Sequence, residues 1–389
     1  MAQECERFIR CYFHLGLTYE EILNILLFNH NILISKRTLS RKLRNLGLFR
    51  RKYHTDVIDI ACFLQQELQQ SGNLHGYRWM HLKCIQNGIN TDKETVRLLL
   101  GILDPDGVEI RARKKLQRRL YQVRGPNYMW HVDSYDKLKP YGICINGCID
   151  GFSRRVLWLD AYTTSSDPAV IAGYYMNTVR SQMGCPRIIR ADHGTENTHI
   201  RQMQQFLRRS QDDAFAKDKS FMQGTSQNNQ RIECWWGMLR KHFTQFWMDL
   251  FAQIKEEGHF SGDHLDKSLL QFCFLNMIQG ELDTVVKEWN AHRIAPSRNR
   301  HGPFGRPLVM HTMPQLYGAE NFLVEVQQDE IDVCSSECIF KGRYPCDKDV
   351  FDLCSIMMEE RLMSVPSTVE EGINLYNSLR RMILDEIDL

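Results

Sequence analysis

Three separated blocks, each containing an acidic residue, constrain the fold of this chain more than any other feature of its sequence. Residues 128–133 (YMWHVD) and 187–192 (RIIRAD) are short apolar runs that end in Asp. This pattern is typical of buried strands that carry a carboxylate at or near one end. In the third block, residues 224–241, a polar loop leads into a helix with Glu233 in its first turn. Apolar residues spaced by three and four positions predict that helix: Ile232, Trp236 and Leu239.

A single acid near a helix N-terminus is readily explained by the helix dipole. Three acids on two strands and a facing helix instead suggest a shared chemistry. Mg²⁺ prefers hard oxygen ligands, and two such ions about 3.5–4 Å apart can clamp the attacking and leaving oxygens of a phosphoryl transfer. Asp133, Asp192 and Glu233 supply the carboxylates that this chemistry requires.

In this order, the three blocks resemble the Asp-Asp-Glu core of retroviral-type integrases and related transposases. Trp130 and Asp133 match the family's Trp-x-x-Asp, and residues 192–196 match its Asp-x-Gly-x-Glu. The family's Gln-x-Asn-x-x-x-Glu is matched by Gln227, Asn229 and Glu233. The last two acids, Asp192 and Glu233, lie slightly further apart than in retroviral members. His193 and Gln230 depart from the residues that the family often has there, but neither is a metal-binding position.

The resemblance implies an α/β fold, with a ribonuclease-H-like mixed-sheet core between all-α helix-turn-helix modules and a mostly helical C-terminal region. Within residues 128–250 we predict three strands, a helix, a strand, a helix, a short strand and a helix. The resemblance further implies that Asp133, Asp192 and Glu233 are catalytic and bind Mg²⁺ or Mn²⁺. One ion would lie between the two aspartates and the other between Asp133 and Glu233. Four residues near Glu233 are predicted to contact DNA: Asn229, Arg231, Arg240 and Lys241.

Residues 1–52 predict a helix-turn-helix DNA-binding module. Thr18 and Glu21 form a capping box at the start of one helix, and Ser35 caps the next, which ends at Gly47. That helix buries Leu39, Leu43 and Leu46 and leaves a cationic face outward. We predict that this face contacts DNA through Lys36, Arg37, Arg41 and Arg44. The alternative is a small helical bundle with a solvated basic face.

Changes in the pattern of residues predict the remaining domain boundaries. A second helix-turn-helix-like module is predicted at residues 53–110, with Thr91 and Glu94 as another capping box. Residues 111–126 form a basic linker that contacts phosphates, directs nuclear import or does both, unless it is merely solvated. The other regions are the integrase catalytic core at 127–250, a helical extension at 251–310 and an acidic C-terminal region at 311–389.

Charge is distributed unevenly, although the whole chain carries a net charge of only +2. Residues 1–126 contain 21 Lys and Arg against 12 Asp and Glu, whereas residues 320–389 contain 6 against 16. The first region therefore indicates a nucleic-acid-binding end and the second a separate solvated or regulatory end. No apolar run reaches membrane-spanning length, so no membrane partner is expected. The 13 cysteines lack a disulfide rhythm, which favours reduced thiols inside the cell.

These patterns and the resemblance predict an integrase or transposase derived from a transposable element. It would cleave phosphodiester bonds and transfer strands of double-stranded DNA with a divalent metal, as a homo-oligomer in the nucleus. One alternative is a domesticated DNA-binding or chromatin-associated protein that keeps the fold without the chemistry. A ribonuclease-H-type nuclease is a further alternative. Carboxylates at all three positions favour the enzyme.

Overall fold

The computed structural model describes residues 2–70, 72, 75–112, 123–225, 229–296 and 302–387 of the 389-residue chain. The N-terminal module consists of helices α1 (Ala2–His14), α2 (Tyr19–His30) and α3 (Lys36–Asn45). The capping box of Thr18 and Glu21 is confirmed, as is the Ser35 cap of α3. Gly47 ends α3 with a positive φ of 70°, which lets the Leu48 N–H bond to the Leu43 carbonyl.

The second module consists of α4 (Val57–Leu68), α5 (Tyr77–Gln86) and α6 (Lys93–Leu103), followed by α7 (Pro105–Ala112). Its small core includes Ile60, Leu64, Met80, Cys84, Val96 and Leu100. The predicted capping box of Thr91 and Glu94 is wrong. Because α6 begins at Lys93, the capping position falls on Asp92, whose carboxylate accepts the N–H groups of Glu94 and Thr95.

The α/β core is built on a five-stranded mixed sheet in the order β3-β2-β1-β5-β6. Its strands are β1 (Met129–Tyr135), β2 (Cys144–Asp150), β3 (Val156–Tyr162), β5 (Ile188–Ala191) and β6 (Phe221–Gln223), while the two-residue β4 (Gly184–Cys185) lies outside this sheet. The pairs β1–β2 and β2–β3 are antiparallel, whereas β1–β5 and β5–β6 are parallel. The predicted α/β class with a mixed-sheet core is therefore confirmed.

Helices cover both faces of this sheet. The core helices are α8 (Pro168–Gln182), α9 (Thr198–Leu207), α10 (Gln230–Leu239), α11 (Gln245–Glu256) and α12 (His264–Ala291). Side chains of a strand alternate between faces, so Trp130 and Val132 of β1 pack with α8 and α9. Tyr135 packs on the opposite side with residues of α10, α11 and α12. Asp133 shares the parity of Tyr135 and therefore faces α10.

The second module is fixed to the core through α5 and α12. The Trp79 ring stacks on His242 with a centroid distance of 4.8 Å, and its indole N–H donates to the buried Glu288 carboxylate. Lys83 pairs with Glu67 at 2.6 Å and lies 3.8 Å from Glu288. The aromatic stacking and this buried charge network hold the module in one position.

The acidic C-terminal region contains α13 (Pro307–Thr312), β7 (Val324–Glu325), α14 (Gln328–Ser336), α15 (Lys348–Glu360) and α16 (Val369–Ile387). β7 pairs with β4, and α16 packs along α12 with Tyr376 and Leu379 fully buried. Arg380 of α16 also forms a 2.7 Å ion pair with Asp266. The predicted mostly helical C-terminal region is confirmed. The prediction of a solvated end is wrong, because apolar faces of this region complete the hydrophobic core, whereas a regulatory role stays a prediction.

None of the described helices combines the length and the apolar character that crossing a bilayer would require.

Candidate active site

Asp133 lies on β1, opposite Gly147 of β2, with its side chain turned toward α10. Its Oδ2 accepts a 2.8 Å hydrogen bond from the indole N–H of Trp236. A Cβ on Gly147 would come within 2.8 Å of the Trp236 ring. Since real Cβ contacts are longer, the absence of a side chain at Gly147 makes room for the indole. Trp236 therefore orients Asp133 from the neighbouring helix.

The start of α10 is tied to β1 by a buried amide. Asn229 donates from Nδ2 to the Val132 carbonyl at 2.9 Å, and its Oδ1 lies 2.6 Å from His131 Nδ1. Because the amide nitrogen is already donating, we infer that His131 Nδ1 carries the proton. Burial lowers the pKa of His131 to about 3, which keeps this ring neutral.

The structure corrects one of the predicted DNA contacts and gives a second a partner within the protein, while the DNA contact of the second stays a prediction. Asn229 is 1% exposed and its side chain is engaged with β1, so the structure corrects its predicted contact with DNA. Arg231 is half-buried, and its Nε donates to the Gly151 carbonyl at 2.9 Å. Both side chains position α10, and hence Glu233, against the sheet.

Asp192 follows directly after β5, at the carboxyl end of the strand parallel to β1. The buried Asn197 side chain donates to Asp192 Oδ1 at 3.2 Å and to Glu196 Oε1 at 2.9 Å. The turn of residues 192–197 thus holds the carboxylate of Glu196 next to that of Asp192, which belongs to the predicted site. Burial raises the pKa of Glu196, and the negative charge of Asp192 adds to this effect.

The three predicted catalytic acids share one electrostatic environment. The pKa of Asp133 is raised from 3.8 to about 7, mainly by burial; the Trp236 hydrogen bond opposes this shift, and the charges of Glu233 and Asp192 add to it. Glu233 is exposed on α10, yet partial burial and the charge of Asp192 also raise its pKa. The fold thus brings together Asp133, Asp192 and Glu233, which have 58 and 40 residues between them in the sequence.

These acids fit a divalent cation by their chemistry. They offer hard oxygen ligands, and a cation would relieve the repulsion that raises the pKa of Asp133. Among the residues that the structure describes, however, no three His, Cys, Asp or Glu side chains form a preassembled metal-binding group. The carboxylates therefore share a region of negative potential without a closed coordination shell.

The remaining predicted DNA contacts lie at the protein surface. Arg240 and Lys241 are exposed at the start of a π-helical segment, Arg240–Thr244, where Arg240 donates to Gln245 at 2.9 Å. On α3, Arg37, Arg41 and Arg44 are exposed, as is Lys36, which lies 3.4 Å from Glu20. These side chains are accessible to a ligand, but they lie on two separate elements, α3 and the π-helical segment after α10.

Sequence reasoning missed the residues that orient the acids. Trp236 was predicted only as part of a buried stripe, and the roles of His131 and Asn197 were not predicted. One signal was present: Trp236 follows Glu233 by three positions, so both lie on neighbouring parts of one helix face. His131 and Asn197 carry no comparable signal, because their partners are distant or depend on the conformation of a turn.

The raised pKa of Asp133 predicts a specific pH dependence of stability. Well below pH 3.8 this carboxyl is protonated in both the folded and the unfolded chain. As pH rises to about 7, the unfolded chain releases the proton first, so the metal-free folded state loses stability. We expect Asp133→Asn to remove part of the fall in melting temperature between pH 5 and pH 8, measured in EDTA.

The exposed Asp212 provides a matched control for this measurement. Asp212→Asn removes one carboxylate outside the site and should leave the wild-type pH profile unchanged. Identical profiles for Asp133→Asn and wild type would contradict the electrostatic description of Asp133.

The mixed sheet, its flanking helices and the acids beside its parallel strands define an α/β protein with a ribonuclease-H-like core. Residues 120–313 match the family model of the integrase core domain, which supports an integrase- or transposase-type core in this part of the chain. The matched residues include all five strands of the main sheet and continue through α12. No curated protein matches the chain.

Proposed function

We propose that this protein is a DNA integrase or transposase that cleaves phosphodiester bonds and transfers DNA strands with a divalent metal. The observation that supports this most is the shared environment of Asp133, Asp192 and Glu233 within an integrase core domain. Each acid occupies the position where the family motif places a catalytic carboxylate. Their mutual repulsion in the absence of a cation is the property expected of a site that binds one.

The residues around the acids have defined roles in this proposal. Asp133, Asp192 and Glu233 would hold Mg²⁺ or Mn²⁺, which supplies stabilisation of the charge that develops on the attacking and leaving oxygens. Trp236 fixes one oxygen of Asp133, and Asn197 fixes one oxygen of Asp192. The exposed Arg240 and Lys241 can neutralise phosphates of the bound DNA.

A nicking and strand-transfer assay on end-labelled duplex DNA tests the proposal. Cleaved and joined products are expected with Mg²⁺ or Mn²⁺ and not in EDTA. An RNA–DNA hybrid should be tested in parallel, since preferential cleavage of its RNA strand would favour the nuclease alternative. A protein that binds duplex DNA without cleaving it under either metal would support the domesticated, non-catalytic alternative.

We further propose that the exposed face of α3 reads DNA sequence in the major groove. Arg37, Arg41 and Arg44 are free to reach base edges, because α3 packs through Leu39 and Leu43 on its other side. Arg41→Ala should weaken binding to a cognate site by about 1–3 kcal/mol if Arg41 contacts a base. Fluorescence anisotropy on selected and scrambled duplexes measures this difference.

Lys42 on the same helix is the matched control. Its ammonium pairs with Glu6 at 3.1 Å on the side away from the exposed arginines. Lys42→Ala removes the same charge and should leave the discrimination between duplexes intact. Equal weakening of Arg41→Ala on every duplex would make Arg41 a phosphate contact, and unchanged binding would refute the helix-turn-helix role.

We also propose that the protein assembles as a homo-oligomer on double-stranded DNA and acts in the nucleus. The oligomer is inferred from the family resemblance. The nuclear location rests on the basic segment 111–126, of which residues 113–122 lie outside the described part of the chain.

A further inference from the structure

A groove of about 1480 Å³ lies between the two N-terminal modules and the segment that follows α12. Its first wall comes from the turn after α1 and the loop after α3, including residues 49–52. The second wall is α5 together with the start of α6, and the third includes residues 292–296. The groove is thus distinct from both the exposed face of α3 and the carboxylates of the core.

Exposed cations come from all three walls of this groove. Five of them line it: Arg51, Lys52, Arg78, Lys93 and Arg293. In the part of the chain that the structure describes, none of the five forms an ion pair. Asp92 is the single acid among the described lining residues, and its carboxylate is already occupied in capping α6. The described lining of the groove therefore keeps an excess of positive charge.

Two further arginines, both partly buried, hold the walls in place rather than binding a ligand. Arg50 donates to the carbonyls of Phe13 and Leu17 at 2.6 and 2.9 Å. Arg306 pairs with Glu21 at 3.0 Å and donates to the Gly16 carbonyl at 2.7 Å. These contacts make the groove a fixed feature of the packing between the modules and the core.

Titratable groups in the groove respond to this excess of positive charge. Burial lowers the pKa of His292 to about 4, and the charges of Arg306, Arg78 and Lys93 contribute. Burial also lowers the pKa of Arg50 to about 10, with Arg306 adding to the effect. Cations on separate walls thus act on the same groove, where their combined potential would stabilise an anion.

We propose that this groove is a second DNA-binding site, which holds the phosphodiester backbone of the duplex without reading its sequence. The cations are spread over three walls, whereas a single phosphate needs only two or three donors converging on one point. A chain of phosphates can contact all of them at once. The choice of DNA as the polyanion rests on the proposed function.

The test compares two variants with the same loss of charge. Arg78→Gln with Lys93→Gln removes one cation from each of two helices lining the groove. The control, Arg97→Gln with Lys348→Gln, removes two exposed cations whose partners, Glu94 and Asp352, lie outside the groove. Binding to random duplex is measured in EDTA over a series of salt concentrations, so that cleavage plays no part.

We expect the slope of log affinity against log salt to decrease by about 2 in the groove variant, or roughly one per lost phosphate contact. The weakening should be the same for every duplex sequence, and the control should keep the wild-type slope. Equal slopes for the groove variant and the control would overturn the proposal.

Tripolyphosphate, titrated calorimetrically, distinguishes DNA from a free polyanion. Loss of tripolyphosphate binding with an unchanged DNA salt slope would assign the groove to a small polyanion and overturn the proposal. Because these measurements need no catalysis, a failure of the cleavage assay and a failure of this inference give separate results.

Discussion

Asp192→Asn is expected to abolish DNA nicking and strand transfer, with a loss of at least about 10²-fold, the cost of removing one strong contact to a transition state. The substitution keeps the shape of the side chain and an oxygen that Asn197 can still bond. It removes a negative charge that would hold the metal. Binding to duplex DNA should persist, because the basic surfaces of α3 and the groove lie elsewhere.

Melting curves of the same variant test the metal independently of catalysis. Mg²⁺ should raise the melting temperature of the wild type, since it binds the folded state better, and this shift should be smaller in Asp192→Asn. Without metal the variant should be slightly more stable than the wild type, because the charge of Asp192 raises the pKa of Asp133 and Glu233.

Asp160 provides the matched control for Asp192. It also lies near a strand end, but its carboxylate pairs with Lys341 at 2.8 Å away from the three acids. Asp160→Asn should retain both nicking and the metal-dependent shift. Nicking that persists in Asp192→Asn would show that the catalytic acids are misassigned.

Leu379→Ala is expected to destabilise the whole protein by about 2–5 kcal/mol, the usual cost of emptying a fully buried leucine site. Leu379 of α16 has no exposed surface and packs in the same hydrophobic cluster as α10, α11 and α12. The loss should appear as a lower melting temperature. The effect is informative because the acidic C-terminal region would otherwise be treated as dispensable.

Leu362, in the same region, is 94% exposed and gives the comparison. Leu362→Ala makes the same chemical change where there is no cavity to create, so stability should change by less than about 0.5 kcal/mol. Similar melting temperatures for the two variants would mean that α16 does not form part of the core in solution.

Local signals in the sequence were enough to predict several helices and strands and to single out the candidate acids. Apolar runs ending in Asp133 and Asp192 predicted two of the strands, and the spacing around Trp236 predicted α10. The capping residues Thr18 and Ser35 marked the starts of α2 and α3, because a cap depends on residues only two or three positions away. Such short-range rules are readable from sequence without knowledge of the fold.

Tertiary structure alone decided which polar side chains are buried and which distant residues they contact. Asn229 was predicted to contact DNA because it lies close to Glu233 in the sequence. It is instead buried, and its amide forms hydrogen bonds with the Val132 carbonyl and the His131 ring of β1. The acidic charge of residues 320–389 suggested a separate solvated or regulatory end, whereas the apolar face of α16 is buried against α12. Burial and hydrogen-bond partners depend on residues that lie tens to hundreds of positions apart, and local pattern carries no record of those contacts.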